Sequence, residues 1–408
     1  MWHRVLLGAL LFLGSPPLQA QQRIGFMAHG ILAVRRADPA PDRSPDSEAY
    51  FTQPTLSVHA VLPLRLAARL TLNLESLTLA NGELSPGAWG EGFVDRRHPH
   101  TTVHELLLGT DDLLGTAGSP TQVGMVVGKG FAPFGTDDPM SRPFLSYPVN
   151  HHLAQILERA VAIAQVRHGP VTLEAALFNG DEPERAGQWP LIYNDSTWRF
   201  GDSWSARLTL VPVPAVELQA SAAGVHSPEH RGGAGGAHDK LSTSARWHDE
   251  TARGERYALV EWARTSELDG FFVFHSLLAE GMLRRNALQM GYRFERTERP
   301  EEERLEDRYR SLRPHLENSI LGTLRWSLHT VRLGVDVAGQ DRPYRILPFV
   351  EVTLGSIAKV GGGIADPVGI YGTTRVRHLS AGIVLGWQAR HHRMGRYGVL
   401  IPSAGTHH

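Results

Sequence analysis

Leu288-Gln289-Met290-Gly291-Tyr292-Arg293-Phe294-Glu295 decides the fold class of this chain, because large apolar residues occupy every second position along it. A β-strand sends successive side chains to opposite faces. Leu288, Met290, Tyr292 and Phe294 therefore share one face, and Gln289, Arg293 and Glu295 the other. The same alternation runs through residues 66–74, where Leu66, Ala68, Leu70, Leu72 and Leu74 oppose Ala67, Arg69, Thr71, Asn73 and Glu75. It returns around Arg207, in Val216/Leu218/Ala220 against Glu217/Gln219/Ser221, and in segments 255–265, 271–279, 349–354 and 376–387. Two architectures accommodate such repetition: a soluble sandwich with its apolar face inside, and a membrane barrel with its apolar face outside.

The start of the chain favours export. His3 and Arg4 precede an apolar run over residues 5–13, and Leu18-Gln19-Ala20 offers a cleavage site before Gln21. This is a secretory signal peptide over 1–20, because its apolar run falls far short of the roughly 20 residues that span a bilayer. Cleavage leaves 388 of the 408 residues. No other stretch suits a transmembrane helix, so any membrane crossing is by strands. There is no cysteine, and the formal net charge of −1 argues against a nucleic-acid partner. Only Lys129, Lys240 and Lys359 are lysines; the arginine bias fits a GC-rich genome better than selection for anion recognition.

Connections decide between sandwich and barrel. Short ones, at 62–65, 167–170, 211–214 and 284–286, alternate with long polar ones at 35–53, 81–102, 131–152, 181–198, 226–240 and 297–314. Short turns at one end and long loops at the other characterise outer-membrane barrels. The expected fold is all-β: a single antiparallel transmembrane barrel over 21–390, followed by a C-terminal tail over 391–408. About 16 strands are expected, with 14 to 18 compatible, short turns being periplasmic and long loops extracellular. In 320–337 the apolar phase slips, from Leu324/Trp326/Leu328 to Val331/Leu333/Val335. A tight turn near 327–330 or a bulge within one strand explains that slip, and even strand parity favours the bulge. The charge cluster at 298–310 reads as a solvated loop.

Gly128-Lys129-Gly130-Phe131-Ala132-Pro133-Phe134-Gly135, continuing through Thr136-Asp137-Asp138-Pro139-Met140-Ser141-Arg142-Pro143, resembles a strand end of Gram-negative porin-like proteins, including the phosphate-selective and specific-uptake porins. Leu177-Phe178-Asn179-Gly180 and Pro348-Phe349-Val350-Glu351 extend the likeness more loosely. The resemblance implies that the segment after the motif folds inward and narrows a pore, making Lys129, Asp137, Asp138 and Arg142 constriction candidates. The residues alone equally allow a Pro/Gly-rich extracellular loop whose Asp side chains form turns. Two departures bear on specificity and assembly: lysine is scarce, and about twenty residues follow Trp387, where such barrels commonly end on an aromatic residue.

In a barrel the polar strand faces carry both signs into the lumen, at Arg69, Glu75, Arg207, Glu217, Arg293, Glu295 and Glu351. Neither a metal site nor a cofactor is expected. Adjacent histidines such as His151-His152 point to opposite faces of a regular strand and cannot both ligate. His275-Ser276 has equally poor geometry for a base and nucleophile, so no enzyme activity is expected. The sequence therefore indicates a porin-like channel for small hydrophilic solutes, set in outer-membrane lipid and lipopolysaccharide and compatible with a homo-oligomer. A non-conducting adhesin or scaffold, and less so a rim-active hydrolase, are the alternatives.

Overall fold

The computed structural model describes residues 24–39, 45–78, 101–115, 118–183, 186–190, 192–194, 197–228, 235–251, 254–302, 320–339, 342–388 and 393–397. Residues 1–20, expected to be a signal peptide, most of the expected loops at 81–102 and 297–314, and the end of the expected tail lie outside them. The strands in chain order are β1 (Ile24–Asp38), β2 (Asp46–Val61), β3 (Ala67–Asn73), β4 (Val103–Leu114), β5 (Thr121–Gly130), β6 (Arg159–His168), β7 (Val171–Phe178), β8 (Tyr193–Asn194) and β9 (Thr197–Trp198). There follow β10 (Ser203–Val213), β11 (Val216–His226), β12 (Ala237–Thr251), β13 (Gly254–Glu267), β14 (Phe272–Arg285), β15 (Leu288–Glu302), β16 (Ile320–Val335), β17 (Tyr344–Gly363) and β18 (Arg375–Trp387). All but the small β8–β9 hairpin close into one antiparallel barrel of sixteen strands. Closure pairs β1 with β18, Gly30 opposite Leu385 and Val34 opposite Ala381.

The side-chain alternation is inverted relative to a soluble protein. In β7 the outward Val171, Leu173 and Leu177 are exposed, whereas Thr172 and Glu174 are buried. In β15, Leu288, Met290 and Tyr292 are exposed while Gln289, Arg293 and Glu295 are buried. The same holds around the barrel, at Leu208, Val260, Leu333, Val350 and Leu379 on the outside. An apolar outer surface around a polar interior is stable in lipid and excludes the sandwich.

Short connections gather at one end: residues 62–66, 214–215, 252–253 and 286–287 join β2–β3, β10–β11, β12–β13 and β14–β15. Asn286 enters its two-residue turn at φ 51°, in the left-handed region where Asn is among the better-tolerated side chains. The opposite end carries the long connections, except that β13 and β14 meet there through a tight turn at Leu268–Gly270. Several predicted loops prove shorter than expected, because polar lumen-facing residues read as loop in the sequence. β1 and β2 extend to Asp38 and from Asp46, taking most of 35–53 into the wall. β15 likewise runs to Glu302, so Glu298 and Glu301 belong to a strand.

β16 is one strand, with neither turn nor bulge at 327–330; its pairing with β17 runs unbroken from Thr323 to Gly334. Leu324, Trp326, Leu328, Thr330 and Arg332 all face inward. The apparent phase slip instead marks a change in what fills the lumen. Leu324, Trp326 and Leu328 pack on Val149 of an inward-folded segment, while farther down the lumen is polar and Val331, Leu333 and Val335 face outward.

That segment, between β5 and β6, builds the core inside the barrel. Phe131, Phe134, Met140, Tyr147 and Ile156 pack with Leu107, Val126 and Val161 of the wall. Leu145 joins Ile31, Tyr50, Leu347 and Phe349 on another side. It carries one short α-helix, His151–Ala154.

Candidate functional site: the occupied lumen

Polar anchors on the wall dictate the path of the crossing segment. Glu351 on β17 accepts the Leu145 backbone N–H at 2.9 Å, and Glu295 on β15 accepts that of Val149 at 2.7 Å. Asn150 donates to Glu261 of β13 at 3.0 Å and to Ser276 of β14 at 3.2 Å. Ser221 of β11 receives the Gly135 N–H at 3.0 Å. Anchors on β11, β13, β14, β15 and β17 place residues 131–157 across the lumen rather than outside the barrel. Gly135, which ends the GK…PFG motif, sits at φ 65°, and a Cβ there would lie 1.7 Å from the Ala154 carbonyl oxygen. The motif thus ends in glycine because the chain crosses itself at that point.

The four constriction candidates separate. Arg142 is buried between two wall carboxylates, 3.3 Å from Glu261 and 3.9 Å from Glu280. Asp137 faces a cluster of arginines. Asp138 is structural, its carboxylate accepting the Met140 N–H at 2.7 Å to start a single turn at Pro139–Ser141. Lys129 lies toward the long-loop end, 3.7 Å from Glu158 and against the Trp189 ring at 5.5 Å.

All seven candidates for the polar face are turned inward, but Glu75 leaves the strand. It opens a four-residue helix, Glu75–Thr78, and accepts from Thr52 at 2.9 Å and from the Gln53 N–H at 2.8 Å. Arg207 forks onto Glu174 at 2.6 and 2.8 Å. Arg293 donates to Glu280 and to the Ser146 carbonyl, both at 2.7 Å, and lies over the Phe144 ring at 4.2 Å. Arg69 lies 4.0 Å from Glu105, and Arg332 lies 3.6 Å from Glu351.

The tail supplies what sequence reading missed. Residues 393–397, beyond the last strand, lie inside the barrel. Arg393 binds Asp137 at 2.7–3.0 Å and Glu217 at 2.9–3.1 Å, bridging the crossing segment to β11. Arg396 donates to Glu217 and to Thr209, the latter at 3.3 Å. Tyr397 donates its hydroxyl to Glu105 at 2.8 Å and accepts the Phe131 N–H at 3.1 Å. Burial pushes the Asp137 carboxyl up, but Arg393, Arg246 and Arg396 outweigh it and hold the group well below the usual carboxylate range. No periodicity signals these residues, and arginine is too common in this chain for Arg393 and Arg396 to stand out. Glu174, Glu261 and Glu280, by contrast, sit on polar faces of strands and were accessible to the alternation argument.

Below the crossing segment a cavity of about 180 Å³ opens, lined by Arg246, Arg332, Arg345, Glu250, Glu255 and Arg393. A single water needs only about 10–15 Å³, so the space has room for water beside these charges, although Met140, Phe144 and Leu347 line it too. Among the described residues no group of three His, Cys, Asp or Glu converges as for a metal. His275 faces outward beside Trp262, whereas Ser276 is buried in the lumen.

Fold and polarity together define a transmembrane β-barrel of sixteen-strand, porin-like architecture. The anion-selective porin of Comamonas acidovorans superposes with a TM-score of 0.50 at 8% identity, covering 89% of this chain and 99% of that one. The outer membrane channel DcaP of Acinetobacter baumannii gives 0.50 at 8% identity, covering 91% and 99%. A loop-deleted OmpT, an outer membrane protein of Vibrio cholerae, gives 0.50 at 9%, covering 89% and 99%. No protein-family model matches the chain, and no characterised protein matches it by sequence.

Proposed function

We propose that this protein is an outer-membrane channel for passive diffusion of small hydrophilic solutes, narrowed by residues 131–157 and by the tail. The observation that carries this reading is the inverted barrel: an apolar wall encloses opposed charges and a cavity with room for water. Such a lumen lowers the cost of moving a polar solute through the bilayer, and charges at its narrow level bias which ions enter. Lys129, Asp137, Asp138 and Arg142 contribute unequally to that bias. Asp137 and Arg142 act at the waist, each beside opposite charges, and Asp138 and Lys129 support the segment from its turn and its outer end. The GK…PFG motif supports a closer likeness to the phosphate-selective and specific-uptake porins. The outward band faces membrane lipid and, in the outer leaflet, lipopolysaccharide. The short turns face the periplasm and the long loops the exterior.

The crowded lumen favours a second reading, a non-conducting barrel used as an adhesin or scaffold, and no catalytic role is assigned. Planar-bilayer recording of the purified protein separates the two. Discrete, ohmic steps smaller than those of a barrel lacking residues 136–150 support the channel. Failure of both the intact and the shortened barrel to conduct overturns it.

A further inference from the structure

The five residues Arg393-Met394-Gly395-Arg396-Tyr397 are held as a bound peptide is held. Both guanidinium groups, the Tyr397 hydroxyl and main-chain groups of Met394, Gly395 and Tyr397 have partners within the lumen. Besides the contacts above, Arg396 donates to the Gln219 side-chain oxygen at 2.5 Å and lies 3.5 Å from Asp137. The Met394 N–H reaches Ser141 at 3.3 Å, and its carbonyl accepts the Asp138 N–H at 3.4 Å. Arg207 donates to the Gly395 carbonyl at 3.0 Å, and Gln165 to that of Tyr397 at 2.7 Å. Gly395 adopts φ 81°, a conformation that glycine takes without strain, where the peptide passes Phe131.

The receptor is made by the barrel and the crossing segment, not by the tail. Asp137 and Glu217 present two carboxylates to the same guanidinium, the planar fork geometry that selects arginine over lysine. Without Arg393 and Arg396 these like charges face one another across the lumen, with Arg246 3.7 Å from Asp137 as one remaining cation. Glu105 and Gln165 fix the following residue. Trp387 ends β18 at the short-turn end, and Arg393, six residues later in the chain, lies inside the barrel.

We propose that Asp137, Glu217, Gln219 and Thr209 form a binding site for arginine-bearing peptides inside the lumen, and that the chain's own residues 393–397 occupy it as a tethered plug. The channel then conducts in proportion to the time the tail is out, and an arginine-bearing peptide arriving from the short-turn side competes for the same carboxylates. This inference rests on the channel reading.

Single-channel recording of the wild type and the full-length Arg393→Gln/Arg396→Gln variant tests it. The full-length variant keeps every strand, so its assembly is checked by heat-modifiable gel mobility. The expected result is a several-fold rise in mean conductance or open time for the variant. The free peptide Arg-Met-Gly-Arg-Tyr, added on the short-turn side, then restores the wild-type level, whereas Gln-Met-Gly-Gln-Tyr does not. Adding Glu217→Gln to the variant should abolish block by the peptide. Equal conductance of wild type and variant, or a variant indifferent to the arginine peptide, overturns the plug while leaving the channel intact. If neither protein conducts while the barrel lacking residues 136–150 does, the plug falls and the channel stands; if none of the three conducts, both readings fall.

Discussion

At the scale of single residues, the interior is organised by arginine–carboxylate contacts that hold two non-strand segments against the wall. Asp137 is the residue at which they meet. Its carboxyl is held well below the ordinary range by Arg393, Arg246 and Arg396 despite burial, while Glu217 faces the same two tail arginines. A depressed carboxylate contributes stability that is present above its unfolded value, near 4, and is lost as pH falls through the lower folded value. The tail contact therefore persists as pH falls from 7 to about 4, and loosens only in stronger acid. Wild-type mean conductance should stay level over that interval, as read by bilayer recording in symmetrical salt. A steep rise centred near pH 4 or above would show that Asp137 titrates as an ordinary, unpartnered carboxylate. Asp137 and Arg142 were legible as charges in the segment that follows the motif. Their partners were not, because pairing across a lumen depends on strand order around a closed wall and leaves no local pattern.

At the scale of elements, strands and crossing segment follow different rules of legibility. Alternation revealed β15 and β18 because one face of each meets lipid and the other the polar lumen. It misled at β16, where the inward face changes from apolar against Val149 to polar at Thr330 and Arg332. A strand that keeps its register there imitates a phase slip. Loop lengths were overestimated for a related reason, since Arg35 and Glu301 are polar yet buried in the wall. Inward folding of 131–157 depends on distant anchors such as Glu351 and Glu295, so sequence left it level with an exterior loop. Gly135 offers a test at this scale. Gly135→Ala forces a side chain into a left-handed position, at about 1–2 kcal/mol, and brings its Cβ against the Ala154 carbonyl. The barrel should still form and show heat-modifiable mobility, while the segment loses its fixed path. Conductance should then become larger and more heterogeneous from channel to channel. A uniform, wild-type step would place the mechanical importance of this residue elsewhere.

For the molecule as a whole, the central claim is that the barrel is inside out, with its apolar face on lipid and its charges on an aqueous lumen. Even parity and both ends of the wall at the short-turn side follow from closing an all-antiparallel sheet without free edges. The absence of native cysteine makes the claim directly measurable, because each introduced cysteine reports alone. Single cysteines placed in turn at Leu288, Gln289, Met290, Tyr292, Arg293 and Glu295 of the refolded protein in lipid bilayers would be labelled with a spin probe. Positions 288, 290 and 292 should be quenched by lipid-dissolved oxygen. Positions 289, 293 and 295 should be shielded from it, and position 289, which lines the cavity, should respond more to a small water-soluble relaxation agent. The reverse alternation, or uniform exposure to water at all six, would contradict a lipid-facing apolar wall and with it the channel.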